Sequence, residues 1–187
     1  MITVNNRTDF LHCVSELLPK EIMAIELGVF KGGFSAMILH LLEPKTLYLV
    51  DPFEESKERY GAEQDFLPTA YSTQNEFDLI TKRFNEEIGS GQVKVNRKYS
   101  YDAVKDYPDN YFNFLYIDAS HLYKDVKKDL NDWLPKLKEG GLMCLHDYVN
   151  IQNFGVIQAV DEWCVEQNFK MIIFNKDGGD CALKIKN

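Results

Sequence analysis

The sequence lacks the features that would set it apart from an ordinary globular protein. No window of about 18 apolar residues occurs, so no membrane-spanning helix is predicted. The N-terminus has no charged segment followed by an apolar run, and repeats and low-complexity stretches are absent. We therefore expect a cytoplasmic protein without a membrane partner. Its 187 residues predict one domain over 1–187.

Cysteine and positive charge are also scarce. The four cysteines form no Cys-X-X-Cys pair, which indicates reduced, buried thiols and neither a disulfide framework nor a zinc site. The 29 acidic residues outnumber the 21 basic ones, and the net charge is −8. Because an acidic surface repels phosphate backbones, we expect no nucleic-acid partner.

Apolar runs typical of buried strands alternate with helical patterns along most of the chain. The last two runs are joined by a short Asp-Gly-Gly-Asp turn without a helix, so they are predicted to pair antiparallel. The pattern predicts an α/β fold with a Rossmann-like, doubly wound, seven-stranded sheet. The predicted strands are 22–28, 46–51, 92–99, 111–118, 141–148, 169–176 and 181–186.

Ligands of doubly wound sheets bind beyond the carboxyl ends of the strands. Segment 54–72 follows one of these ends, lacks a clear period and is predicted to form a lid or an acceptor-binding segment. The strand ends themselves supply the candidate site positions, which are Glu26 to Gly28, Asp51, Tyr99, Ser100, Asp118, His146 and Asp147.

The loop after the first predicted strand reads Glu-Leu-Gly-Val-Phe-Lys-Gly-Gly-Phe-Ser over residues 26–35. Its glycines let the backbone approach a ligand closely, and the following helix start offers free N–H groups. Asp51, about 20 residues beyond the loop, stands where a carboxylate can bind ribose hydroxyls. A tight turn without a ligand is the alternative explanation for the glycines alone.

Two nucleoside cofactors fit this plan. NAD sites favour Gly-X-Gly-X-X-Gly, but Phe30 occupies the position of the second glycine. Glu26 would also lie unfavourably beside a pyrophosphate. A carboxylate suits the ammonium group of S-adenosylmethionine (SAM), which has a ribose diol and no phosphate. The loop therefore favours SAM.

Three segments in order now indicate a family. They are residues 26–35, Ile-Asp-Ala-Ser-His-Leu-Tyr-Lys-Asp-Val at 117–126, and Gly-Gly-Leu-Met-Cys-Leu-His-Asp-Tyr at 140–148 with 155–163 after it. The chain resembles the class I SAM-dependent methyltransferases. More closely, it resembles the small-molecule O-methyltransferases of the macrocin type, methyltransferase family 24. The resemblance runs from about residue 22 to the end of the chain.

The resemblance implies a strand order of 3-2-1-4-5-7-6 with strand 7 antiparallel, and it implies roles. Glu26 and the glycine loop would hold the methionine part, with Ser35 near its carboxylate. Asp51 would bind the ribose diol, residues 52–53 would line the adenine pocket, and Ser100 would lie at the adenine edge. The implied cofactor-binding residues are Glu26, Gly28, Phe30, Lys31, Gly32, Gly33, Phe34, Ser35, Asp51, Pro52, Phe53, Ser100 and Asp118.

Two carboxylates end neighbouring strands and form a candidate metal site. Asp118 and Asp147 facing a cleft suit Mg²⁺, and similar enzymes use a metal in this place. Those enzymes often carry a carboxylate or amide beside the second aspartate, where this chain has His146 and Tyr148, and imidazole prefers softer metals. The candidate ligands are Asp118, Asp147 and His146. Alternatively, Asp118 bonds the cofactor or the backbone and Asp147 caps a loop.

His121 is the candidate general base. It follows Asp118 by three residues, the offset at which catechol-type enzymes carry a lysine base, and its ordinary pKa suits removal of a hydroxyl proton. The alternative is a histidine at a helix start that bonds the backbone or stacks near the adenine. Asp118 and His121 are thus the predicted catalytic residues.

The predicted reaction is methyl transfer from SAM to a hydroxyl of a small molecule such as a sugar or phenol, with metal assistance. A SAM- or S-adenosylhomocysteine (SAH)-binding module without catalysis and an NAD-dependent oxidoreductase or epimerase are the alternatives. The chain also lacks the Asp/Asn-Pro-Pro-Tyr/Phe segment of many nucleic-acid methyltransferases. Similar small enzymes commonly pair, so a homodimer is compatible with the sequence. Aromatic residues available to the acceptor are Phe53, Tyr60, Phe66, Tyr71, Tyr148 and Phe154.

Overall fold

The computed structural model describes residues 1–54, 73–151 and 154–185. Within these ranges, helices alternate with the strands of one sheet. The strands are β1 (Ile2–Val4), β2 (Met23–Leu27), β3 (Thr46–Val50), β4 (Val93–Asn96), β5 (Phe112–Ile117), β6 (Leu137–Leu145), β7 (Phe169–Asn175) and β8 (Cys181–Ile185). The helices are α1 (Arg7–Ser15), α2 (Gly33–Leu42), α3 (Gln74–Arg83), α4 (Asn85–Ser90), α5 (Ser100–Ala103), α6 (Tyr123–Trp133) and α7 (Val156–Glu166).

The strand order across the sheet is β1-β7-β8-β6-β5-β2-β3-β4. β8 pairs antiparallel with both β6 and β7, and every other described pairing is parallel. The predicted α/β class is confirmed. The seven predicted strands lie in the predicted order, with the seventh of them antiparallel. The predicted strand count is wrong, because the described sheet has eight strands.

The additional strand is β1, at the edge of the sheet. It runs parallel to β7, with Ile2 opposite Ile173 and Val4 opposite Asn175. The backbone N–H of Lys176 also donates to the carbonyl of Val4 at 3.1 Å. Three residues with mostly exposed side chains carry too little alternation to predict a strand from sequence. The sheet edge supplies the backbone partners that form it.

Each face of the sheet carries a hydrophobic core. All six residues of β5 are buried, and alternate side chains point to opposite faces. Phe114 packs on one face with Phe10 of α1 and with α2. Leu115 packs on the other face with Trp133 of α6 and with α7. This two-sided burial explains why the central strands read as continuous apolar runs.

Tertiary contacts set two of the element boundaries. α3 and α4 are divided at Phe84, which has a non-helical conformation (φ −107°, ψ 27°) and a buried side chain. β6 begins at Leu137, before the predicted strand 141–148, because Leu137 pairs with Phe112 of β5.

Most of the predicted acceptor segment 54–72 lies outside the described residues, and Glu54 alone falls within them. Its candidate aromatics Tyr60, Phe66 and Tyr71 lie outside as well. Among the described residues, no helix combines the length and apolar character needed to cross a membrane.

Gly28 marks the point where the turn after β2 meets the end of β5. Its φ is +86°, and an added Cβ would lie 2.0 Å from the carbonyl oxygen of Asp118 and 2.9 Å from the Cα of Ala119. The backbone N–H of Asp118 donates to Leu27 at 2.7 Å, and the N–H of Gly28 donates to Val50 at 2.9 Å. Only glycine fits this approach of backbone to backbone.

Gly28→Ala is expected to destabilise the protein far more than Gly91→Ala. Gly91 has a similar φ of +82°, but no atom lies within 4 Å of the position of its Cβ. The backbone strain of Gly91→Ala should cost about 1 kcal/mol. The backbone clash at Gly28 should add about 1–3 kcal/mol. Urea denaturation measures both free energies of unfolding, and equal losses would contradict the close approach.

Candidate active site

Asp51 fixes the shape of two turns at the carboxyl edge of the sheet. It follows β3 directly, and only 5% of it is exposed. Its Oδ2 accepts hydrogen bonds from the backbone N–H groups of Val29 at 2.9 Å and Phe30 at 3.1 Å. Its Oδ1 accepts one from Phe53 N–H at 2.8 Å. The carboxylate therefore ties the glycine loop to the turn after β3, and a ligand at this edge would meet both.

Glu26 lies beneath the glycine loop as a buried carboxyl group. It is 1% exposed, and the hydroxyl of Ser35, also fully buried, donates a hydrogen bond to it. Burial raises the pKa of Glu26 to about 8, although the bond from Ser35 opposes this shift. Glu26 is therefore mainly protonated and uncharged at neutral pH. The Ser35 hydroxyl points inward, so contact with a ligand would require its bond to Glu26 to break.

A cluster of two aspartates and two histidines occupies the ends of β5 and β6. Nε2 of His121 lies 2.7 Å from Oδ2 of Asp147, and Nδ1 of His146 lies 2.9 Å from the same oxygen. Nδ1 of His146 is also 3.5 Å from Oδ1 of Asp118. One potential ligand atom from each of Asp118, His121 and Asp147 lies within 4.8 Å of the other two. The predicted metal and base residues thus lie together, but His121, and not the predicted ligand His146, groups with Asp118 and Asp147 as the candidate metal set.

The protonation of this cluster follows from its contacts. Burial lowers the pKa of His146, but hydrogen bonds and charge from Asp118 and Asp147 outweigh burial and raise it to about 10. Burial raises the pKa of Asp147, but hydrogen bonds from His121 and His146 hold it well below its usual range. Asp147 also adopts a left-handed backbone conformation with φ of +59°, which is strained for a residue other than glycine.

Packing between α6 and α7 positions His121. Its ring stacks on Phe154, with ring centroids 4.3 Å apart, and its carbonyl accepts a hydrogen bond from the Gly155 N–H at 2.8 Å. A Cβ at Gly155 would lie 2.4 Å from the backbone nitrogen of Tyr123. The small residue at the start of α7 therefore allows the contact that orients His121.

A buried polar network, which the sequence patterns did not reveal, lies beside the cluster. Asp180, fully buried, lies 3.2 Å from Nε of Arg7 and accepts hydrogen bonds from Tyr116 and from Asn175, the latter at 2.7 Å. Nη2 of Arg7 donates to Tyr116 at 3.2 Å and lies 3.9 Å from Asp118. The only sequence signal was Asp180 in the Asp-Gly-Gly-Asp turn, which predicted a turn and no ion pair.

Comparison with known proteins decides the family. A family model described as a methyltransferase domain, methyltransferase family 24, matches residues 25–148. The chain belongs to this methyltransferase family. The match begins in β2 and ends just after Asp147, so it includes the glycine loop and the Asp and His cluster.

Individual relatives are more distant. The methyltransferase is 27% identical over 128 residues to the uncharacterized protein R132 of Acanthamoeba polyphaga mimivirus, covering 66% of this chain and 50% of that protein. It spans at most half the length of the curated relatives that it matches.

Two solved structures show the same fold. The O-methyltransferase NovP has a TM-score of 0.69 at 18% identity, covering 97% of this chain and 80% of its own. The O-methyltransferase TomG of Streptomyces achromogenes, in complex with SAM, has a TM-score of 0.60 at 13% identity, covering 95% of this chain and 78% of its own. Both likenesses cover at least 95% of this chain.

The predicted cofactor-binding residues of the methyltransferase fall into two groups by exposure. Their roles stay predictions. The exposed or half-buried ones are Gly28, Phe30, Lys31, Gly33, Pro52 and Asp118. The buried ones are Glu26, Gly32, Phe34, Ser35, Asp51, Phe53 and Ser100.

Two of the side chains that were predicted to contact the adenine point into the protein interior. The Phe53 ring is 1% exposed and packs against Phe77, with ring centroids 5.3 Å apart. The Ser100 hydroxyl donates to Oδ1 of Asp129 at 2.6 Å. Near them, a groove of about 430 Å³ opens beyond β3 and β4. It is lined by Pro52, Glu54, Arg97, Lys98, Tyr99, Asp102, Lys105 and Asp106.

Glu26→Gln is expected to flatten the pH dependence of stability. The unfolded glutamate ionises near 4.5 and the folded one near 8, so between these values the folded state retains a proton that the unfolded state has lost. The wild-type free energy of unfolding should therefore fall as pH rises through this window, by at most about 1.4 kcal/mol per pH unit.

Thermal unfolding between pH 5 and 9 tests this expectation. In Glu26→Gln, the part of the decline in unfolding free energy that comes from ionisation of Glu26 should be absent. Ser35→Ala, which removes the bond favouring the ionised form, should raise the folded pKa and extend the decline to higher pH. Parallel curves for all three proteins would show that Glu26 is ionised throughout.

Proposed function

We propose that this methyltransferase transfers a methyl group from SAM to a hydroxyl of a small-molecule acceptor, a sugar or a phenol. The observation that carries the proposal is the double contact of Asp118. Its backbone carbonyl meets Gly28 in the glycine loop, and its carboxylate lies 3.5 Å from His146 in the Asp and His cluster. A cofactor held by the loop would therefore have its reactive end beside titratable side chains.

The donor set of the loop fits SAM better than a dinucleotide. Asp51 and Asp118 place two carboxylates at this edge. Anionic groups repel a pyrophosphate but attract an ammonium or sulfonium ion. Phe30, with φ of +51°, also stands where NAD sites need a second glycine. When bound, SAM supplies the methyl group as an electrophile and becomes SAH.

His121 is the residue that we assign to proton removal. Asp147 engages its Nε2 at 2.7 Å, and among the described residues Nδ1 has no hydrogen-bond partner. Nδ1 is thus available to take the acceptor's hydroxyl proton, and Asp147 stabilises the resulting imidazolium. Stacking on Phe154 keeps the ring in place, so positioning contributes to the rate.

The cluster also fits a divalent cation, which Asp118, Asp147 and a histidine would hold. Carboxylates suit both Mg²⁺ and Mn²⁺, and Mn²⁺, as a transition metal, accepts an imidazole ligand more readily than Mg²⁺ does. A bound dication would lower the pKa of a hydroxyl that it ligates. The hydrogen bonds from His121 and His146 to Asp147 would have to give way to metal bonds on loading.

Calorimetric titration with SAH, with NAD as the control ligand, tests the cofactor class. SAH should bind and NAD should give no heat. Asp51→Ala should weaken SAH binding by about 10-fold or more, because the charged group that holds both turns is lost. Asp109→Ala, which removes an exposed aspartate paired with Lys136, should bind SAH like the wild type. Absence of SAH binding would overturn the proposal.

Titration with Mn²⁺ tests the metal independently of turnover. One ion per chain is expected to bind the wild type and Asp109→Asn. Asp147→Asn should lose Mn²⁺ binding and keep SAH binding, because this side chain belongs to the cluster and not to the glycine loop. Mn²⁺ binding that survives Asp147→Asn would exclude the cluster as the metal site.

A SAH-binding module without catalysis is the second candidate. The histidine bonds to Asp147 favour it, because they already satisfy the carboxylate that a metal would use. This candidate predicts that the protein binds SAH but takes up no Mn²⁺. It also predicts that no SAH forms from SAM with any acceptor in a panel of phenols and sugars.

A further inference from the structure

Arg7 reaches the candidate site because of β1. β1 is parallel to β7 and ends beside Asn175, so the chain leaves it at the carboxyl edge of the sheet. α1 then begins at once, with Asn6 as its cap, accepting the N–H of Asp9 at 2.8 Å. Arg7 is the first residue of α1 and therefore stands at the edge where the glycine loop and the cluster lie.

The guanidinium of Arg7 is held rigidly and is still accessible. Its plane lies over the ring of Phe34, 4.5 Å from the centroid, next to the glycine pair at the start of α2. Asp180 and Tyr116 engage Nε and Nη2, each at 3.2 Å. Among the described residues Nη1 has no hydrogen-bond partner, and 28% of the side chain is exposed. Two donors of a fixed cation thus remain for a ligand.

A carboxylate of similar exposure accompanies this cation. Asp118 is 25% exposed, and its Oδ2 lies 3.9 Å from Nη2 of Arg7. A half-buried cation and a half-buried anion at this separation match the carboxylate and the ammonium of an α-amino acid. Ser35, which the family resemblance assigns to the cofactor carboxylate, is buried and bonded to Glu26.

We propose that Arg7 binds the α-carboxylate of the methionine moiety of SAM, with Asp118 beside the ammonium group. The inference rests on the proposed function, since it takes SAM as the ligand. Arg7 is then a cofactor-binding residue outside the segment that the family model matches, which begins at residue 25.

The competing explanation is that Arg7 acts only as the counterion of buried Asp180. A counterion role would affect every ligand of the site equally, through the shape of the fold. A carboxylate-binding role affects only ligands that carry the carboxylate. Comparing ligands with and without this group therefore separates the two explanations.

The experiment titrates wild type, Arg7→Gln and Lys45→Gln with SAH and with 5′-methylthioadenosine, which has the nucleoside but no amino-acid part. Arg7→Gln should weaken SAH binding on the order of 10- to 100-fold, the range for a lost hydrogen bond between charged groups, and change methylthioadenosine binding less than about 2-fold. Lys45→Gln removes one positive charge before β3, at the amino edge, and should bind both ligands like the wild type.

Each other result overturns a defined part of the inference. If Arg7→Gln weakens the binding of both ligands equally, or leaves SAH binding unchanged, Arg7 acts only as the counterion of Asp180. Wild type that binds both ligands with equal affinity would exclude carboxylate recognition but keep the nucleoside site. Wild type that binds neither would overturn the proposed function itself. If Arg7→Gln fails to fold, Arg7→Lys keeps the charge beside Asp180. This variant should still weaken the binding of SAH more than the binding of methylthioadenosine.

Discussion

The contact between Gly28 and the end of β5 is the constraint on which the candidate site depends. A backbone that passes within van der Waals contact of the Asp118 carbonyl admits no side chain at position 28. The hydrogen bonds from Asp118 to Leu27 and from Gly28 to Val50 fix the same point. The glycine loop, the carboxylate of Asp118 and the turn after β3 consequently occupy one edge of the sheet. Without this close approach, a ligand held by the loop would lie away from the Asp and His cluster.

Charge at this edge is balanced between buried and exposed groups. Glu26 is neutral near pH 7 because burial raises its pKa to about 8, so no unpaired charge lies beneath the loop. Asp180 is fully buried, and Arg7 offsets its charge. His146, with its pKa raised to about 10, is cationic and lies between Asp118 and Asp147. Each carboxyl group of Glu26, Asp147 and Asp180 is therefore either neutral or beside a cation, and none of the three is an isolated buried charge.

The sequence patterns predicted the parts of the site that are local in the chain. The glycine loop and the strand-end aspartates depend on motifs of about ten residues. The order of the seven strands was implied by the family resemblance, and the fold class is confirmed. The patterns could not predict the direction of the Ser100 hydroxyl, because Asp129 lies on another helix. They also could not show that Nε2 of His121 lies 2.7 Å from Asp147, since that contact depends on how the start of α7 packs against the start of α6.

The sequence patterns missed strand β1 and the position of Arg7, and in the structure the first causes the second. β1 is too short to predict by alternation, and Arg7 is separated in sequence from Tyr116 and Asp180 by most of the chain. Yet it is the parallel pairing of β1 with β7 that starts α1 at the carboxyl edge and brings Arg7 to that pair. Of the three residues of β1, Val4 packs against the hydrophobic core. The other effect of the strand is to place the Arg7 cation between the buried Asp180 and the carboxylate of Asp118, which is the position from which the proposed contact with a ligand carboxylate follows.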